Sequence, residues 1–156
     1  MGILSGHSLE EFWQALGSIG EVSFEASSVL ESGGWNGHGE GTVSTDFVDD
    51  NTLCTRENGF WNYRPGKRLE FFNIYRWKQD QHKNIVTLEH LRHGEHRPVM
   101  LFDLVCDQPG SLHAVAPFDC NKDQYLASMV FTKQTITMHW KIYGPHKNER
   151  ITCNYS

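Results

Sequence analysis

Five polar residues in this 156-residue chain stand in step with apolar neighbours, where a strand would turn them inward. Glu57 shares a face with Leu53 and Trp61, and Asn73 with Phe71, Tyr75 and Trp77. His90 and Arg92 go with Val86 and Leu88, and Asp103 goes with Val99, Leu101 and Val105. Successive side chains of an extended segment point to opposite sides, so residues two apart lie together. A polar group turned inward this way must be paired or used, because burying it bare costs roughly 1–3 kcal/mol. Two chemistries fit the set. In one it orients a small, largely apolar ligand between aromatic walls that include Tyr75, Trp77 and Trp140, with no reaction. In the other, Glu57, His90 or Asp103 acts as acid and base on a hydrophobic substrate, in an isomerase, cyclase or lyase. A structural arrangement stands beside both: Arg92 and Asp103 form an ion pair, and His90 sits at a rim.

Other chemistries are weakly supported. His90-x-x-His93-x-x-His96 has the look of a metal cluster, but a spacing of three along an extended segment puts the rings on alternating faces. Zinc needs three or four convergent ligands, so no metal and no cofactor is expected. Haem held by His139 or His146 is the remaining alternative, although His139 alternates with Met138 and Trp140 and so belongs to an outer face. No G-x-S-x-G nucleophile elbow and no phosphate-binding glycine loop occurs. Cys54, Cys106, Cys120 and Cys153 show no C-x-x-C pairing and read as reduced thiols. The net charge of −5 gives no footprint for nucleic acid. No apolar run is long enough for a membrane span, and MGILSGHSLEEF lacks the core of a signal peptide. A cytoplasmic protein is expected, with a small hydrophobic molecule as its partner and a homodimer left open.

The elements that must position these residues are strands. Tyr125, Ala127, Met129 and Phe131 share a face, as do Ile136, Met138, Trp140 and Ile142, and then Ile151, Cys153 and Tyr155. The same period of two runs back through Val99–Cys106, Ile85–Arg92, Leu69–Trp77, Thr52–Tyr63 and Glu21–Leu30. Turn clusters such as Asp49-Asp50-Asn51 and Gln108-Pro109-Gly110 separate the runs. About ten short strands in sequence predict an all-β, up-and-down antiparallel barrel, which leaves no open edge. One domain over residues 1–156 is expected. Ser8-Leu9-Glu10-Glu11 has the form of a capping box. It predicts a short helix from Leu9 to about Leu16 that plugs one end. Glycines 37, 39 and 41 fall on one face of an extended segment, where they let the sheet coil sharply or leave room inside.

Cys120-x-x-Asp123-x-Tyr125, Trp140-x-x-x-Gly144-Pro145-x-Lys147 and Thr152-x-x-Tyr155 together resemble a family of small, uncharacterised bacterial proteins with a calycin-like barrel. Leu16-Gly17, Gly39 and Gly41, Glu57-x-Gly59 and Tyr75-x-Trp77 follow the order that the resemblance implies. It implies a fold and no chemistry. It also leads one to expect a histidine at the position of Phe118. Gly34-Trp35-x-Gly37-x-Gly39-x-Gly41 is similar to the opening of nitrobindin-type haem barrels, which bind iron through a histidine near the C-terminal end.

Overall fold

The computed structural model describes residues 5–29, 36–64 and 66–156. The Gly34-Trp35 part of the glycine motif lies outside them. Helix α1 (Ser5–Leu16) comes first. It starts a turn earlier than the capping box predicts. Leu9, Phe12, Ala15 and Leu16 recur at helical spacing and are at most 1 % exposed. The chain leaves the helix through hydrogen bonds from the Gly17 and Ile19 amides to the Trp13 and Ala15 carbonyls.

Eleven strand segments follow: β1 (Glu21–Ser28), β2 (Gly37–Asp49), β3 (Thr52–Arg64), β4 (Lys67–Asp80), β5 (Ile85–His90), β6 (Val99–Gln108), β7 (Ser111–Ala114), β8 (Phe118–Cys120), β9 (Asp123–Phe131), β10 (Ile136–Gly144) and β11 (Lys147–Tyr155). Each pairs antiparallel with its neighbour. The last strand returns to the first, with Phe24 opposite Cys153 and Val22 opposite Tyr155. The ring is therefore closed, as the alternation predicts. It has ten strand positions, because β7 and β8 share one. β7 pairs with β9 at Ser111–His113, and β8 pairs with the same strand further along, at Phe118–Cys120. Pro117 lies in the break between them, where a residue without an amide hydrogen interrupts a ladder.

The interior divides into two halves. At one end α1 lays its apolar face across the barrel. Phe12 meets Trp77 with ring centroids 6.0 Å apart and Phe131 at 5.4 Å. Leu53, Leu88, Leu104, Met129 and Met138 complete this core, each at most 2 % exposed. Trp77 donates its indole hydrogen to Thr55 Oγ1 at 2.9 Å, which satisfies a buried donor. The other half of the barrel is not filled.

One irregularity decides which polar residues enter that space. Along β5 and β6, Leu88 stands opposite Phe102 but Glu89 stands opposite Met100. Leu101 is thus an extra residue, a β-bulge, and it reverses the alternation. Val99 and Leu101 face inward on one side of it, and Phe102, Leu104 and Cys106 on the other. Asp103 is thereby turned to the outer face, where it accepts a 2.6 Å hydrogen bond from Thr87 Oγ1. This corrects the unbroken Val99–Val105 alternation, and with it the inward placement of Asp103 and its ion pair with Arg92. On the same outer surface Arg76 and Lys78 hold Glu89 at 2.7 and 3.3 Å.

Candidate functional site

The unfilled half of the barrel is a cavity of about 380 Å³. Its walls are largely aromatic: Phe24, Trp61, Phe71, Tyr75, Tyr125 and Trp140 all face it. Phe24 and Phe71 meet edge to face at 5.2 Å, and Tyr75 meets the His90 ring at 5.0 Å. Strand alternation delivers the six aromatics from five different strands, and the two on β4, Phe71 and Tyr75, are four positions apart and so in phase.

A chain of hydrogen bonds crosses the wall among them. The Arg92 backbone amide donates to His90 Nδ1 at 3.0 Å. That bond puts the remaining ring hydrogen on Nε2, which lies 3.3 Å from Asn73 Oδ1. The Asn73 amide, so oriented, donates through Nδ2 to Glu57 Oε1 at 3.0 Å. The other carboxylate oxygen, Glu57 Oε2, accepts from the Tyr155 hydroxyl at 2.8 Å. Glu57 and Asn73 are direct cross-strand partners. Tyr155 comes from three strands away. In its register row the intervening residue of β2 is Gly41.

Burial shapes the protonation of these groups. It pushes the Glu57 carboxyl above its ordinary value, against the pull of the bonds from Tyr155 and Asn73. It holds the His90 ring below its ordinary value, helped by Arg92 and His93 nearby. The Tyr75 and Tyr155 phenols rise well above theirs through burial and then through the charge of Glu57. What exposure these two tyrosines keep is to the cavity. The Cys153 thiol, buried and close to Glu57, is pushed up to about 12, which leaves it an inert thiol at neutral pH.

Of the candidates named from sequence, Glu57, Asn73, Tyr75, His90, Arg92 and Trp140 line the cavity, Arg92 at its exposed rim. Trp77 and Asp103 do not. Trp77 has the expected face but the wrong height, under α1, and Asp103 is turned outward by the bulge. His93 and His96 are exposed on the loop after β5 while His90 turns inward, so the three rings do not converge. His139 lies on the outer face against Thr152 Oγ1 at 3.3 Å, and His146 is exposed in the β10–β11 turn. Neither is aimed into the cavity to hold a haem iron.

Sequence reasoning missed Tyr155, although its place in phase with Ile151 and Cys153 turned it inward. It also missed the rim. There Lys147 sits 3.4 Å from Asp123. A side chain at Gly144 would collide with the Asp123 carboxylate. The Asp123-x-Tyr125 and Gly144-Pro145-x-Lys147 motifs therefore meet in one contact at the cavity mouth. Phe118, where the resemblance suggests a histidine, is on the cavity wall, 5.9 Å from the Tyr125 ring.

Fold and site define a closed antiparallel barrel with an apolar cavity and one buried polar relay. The chain belongs to a family of unknown function (DUF6314), whose profile matches residues 20–156 and so takes in every strand of the barrel. No curated protein matches the sequence. Among the described residues no helix is long and apolar enough to cross a membrane.

The raised carboxyl of Glu57 makes a stability prediction. A folded state that holds a proton more tightly than the unfolded chain gains from it below the ordinary value of 4.5. That gain disappears as pH rises through the folded value. Glu57→Gln keeps the shape and removes the charge. The variant is expected to exceed the parent by about 1 kcal/mol at neutral pH, with the difference vanishing on acidification. Urea midpoints at about pH 4 and about pH 7 measure it. A variant less stable than the parent at neutral pH would mean that the two neutral donors fully satisfy the carboxylate.

Proposed function

We propose that this protein binds a small, largely apolar ligand inside its barrel and does not transform it. The observation that carries this reading is the aromatic cavity itself, since concave apolar sites with a few convergent polar groups are where small molecules bind. The polar relay favours holding over turnover. Both Glu57 oxygens already accept hydrogen bonds, and a side-chain amide separates Glu57 from His90. Asn73 orients its neighbours but passes no proton between them, which argues against the isomerase, cyclase or lyase alternative.

Two probes, phenylbutanol and phenylbutylamine, titrated calorimetrically against the purified protein test the reading. At least one is expected to bind saturably, one per chain. Ala26, a cavity-lining residue only 7 % exposed, offers a way to fill the space. Ala26→Phe is expected to weaken binding by about tenfold or more. Binding of neither probe, or binding indifferent to this substitution, would overturn the proposal.

A further inference from the structure

Among the described residues no cation stands beside one buried carboxylate of the cavity. Glu57 is 6 % exposed, and the partners of its two oxygens, Asn73 and Tyr155, are neutral donors. Among the described residues the arginines and lysines that form ion pairs spend them elsewhere. Arg56 pairs with Asp46, Arg76 and Lys78 pair with Glu89, and Lys147 pairs with Asp123. The basic side chain nearest along the relay is His90. Its Nδ1 is occupied as an acceptor by a backbone amide, so the ring stands neutral with Asn73 between it and Glu57. Arg92 lines the cavity only at its exposed rim.

Charge of this kind in a low-dielectric interior is costly unless something compensates it. The surroundings suit a cation. On β4, Phe71 and Tyr75 flank Asn73 at two residues on either side and face the same space, with Phe24 and Trp140 on other strands. Aromatic faces attract a positive nitrogen, most strongly where water is excluded. A carboxylate ligand would meet Glu57 as a like charge, and a neutral one would leave it uncompensated.

We propose that the natural ligand carries a positively charged nitrogen on an apolar body, an ammonium that takes Glu57 as counter-ion and the surrounding rings as its cage. This rests on the ligand-binding reading above. It makes the polar relay a specificity device: His90 fixes Asn73, and Asn73 with Tyr155 fixes the carboxylate to which the ammonium is matched.

Phenylbutylamine, phenylbutanol and phenylbutanoate share one apolar body and differ in their head group. Titrated near neutral pH, the amine is expected to bind at least about tenfold tighter than the alcohol, and the acid weakest. Glu57→Gln should abolish the preference, so that the amine and the alcohol bind the variant within about twofold of each other. Saturable binding of the alcohol by the variant shows that it is folded, and the preference in the parent protein can be read without any variant. Equal or tighter binding of the alcohol or the acid, or an amine preference that survives Glu57→Gln, overturns this inference and leaves the ligand cavity standing. Failure of all three to bind removes both.

Discussion

Phe12→Ala is expected to lower the stability of the protein by about 3–5 kcal/mol, the range for deleting a buried phenyl ring. Phe12 is 0 % exposed and stands at the centre of the contact between α1 and the barrel, against Trp77 on β4 and Phe131 on β9. A helix of 12 residues is too short to persist alone in water, so its order comes from this packing. Taking the ring away leaves a void lined by two aromatic side chains and weakens the hold on Leu9 and Leu16 as well. Against a total stability of about 5–15 kcal/mol for an ordinary domain, the loss is large enough to shift a urea midpoint well beyond error. A loss under about 1 kcal/mol would mean that the helix is an ornament on a barrel able to close that end without it. The cavity lies in the other half, so ligand binding should persist in whatever fraction of the variant is folded. That separates a stability effect from a functional one.

The period of two made the barrel legible, because each strand buries one face and the register of one residue fixes the rest. It gave the inward faces of β3, β4, β9, β10 and β11 without error. What alternation cannot give is height along the barrel axis. Trp77 and Asn73 share a face on β4, yet one packs beneath the helix and the other lines the cavity, a difference set by where α1 comes to rest. Nor can alternation foresee a bulge. The extra residue at Leu101 leaves no mark in VMLFDLV, a run apolar at every position but Asp103, so Asp103 looked inward when it is outward. Tyr155 shows a third limit. Its phase was plain, but its hydrogen-bond partner lies three strands away in the sheet and 98 positions away in sequence, and only the closure of the ring brings the two together. Whether a polar side chain becomes part of a site depends on such distant pairings more than on its own neighbours.

The glycines of β2 carry the link from strand geometry to site, and Gly41→Val is expected to break it. In register Gly41 stands between Val22 on β1 and Gly59 on β3. A Cβ there would collide with the Asn58 carbonyl oxygen and would lie 3.0 Å from the Gly59 Cα. These are backbone atoms of a paired strand, which cannot turn aside as a side chain can. The strands would have to separate, at a cost of about 3 kcal/mol, the upper end of the usual range for overpacking. Separating β2 from β3 would also shift Glu57, which β3 carries, relative to Tyr155, so folded variant should lose affinity for cavity ligands along with stability. Gly20→Ala is the matched control, because a Cβ at Gly20 has nothing within 4 Å. It should stay within about 0.5 kcal/mol of the parent. If Gly41→Val unfolds at the same urea concentration as Gly20→Ala, the close approach of β2 and β3 is not what shapes the barrel. If it is destabilised but binds as tightly as the parent, the glycine serves the curvature of the sheet and not the Tyr155–Glu57 contact. Loss of both would tie the spacing of glycines at 39, 41 and 59 to one physical requirement: a wall thin enough for a tyrosine from the last strand to hold an acid on the third.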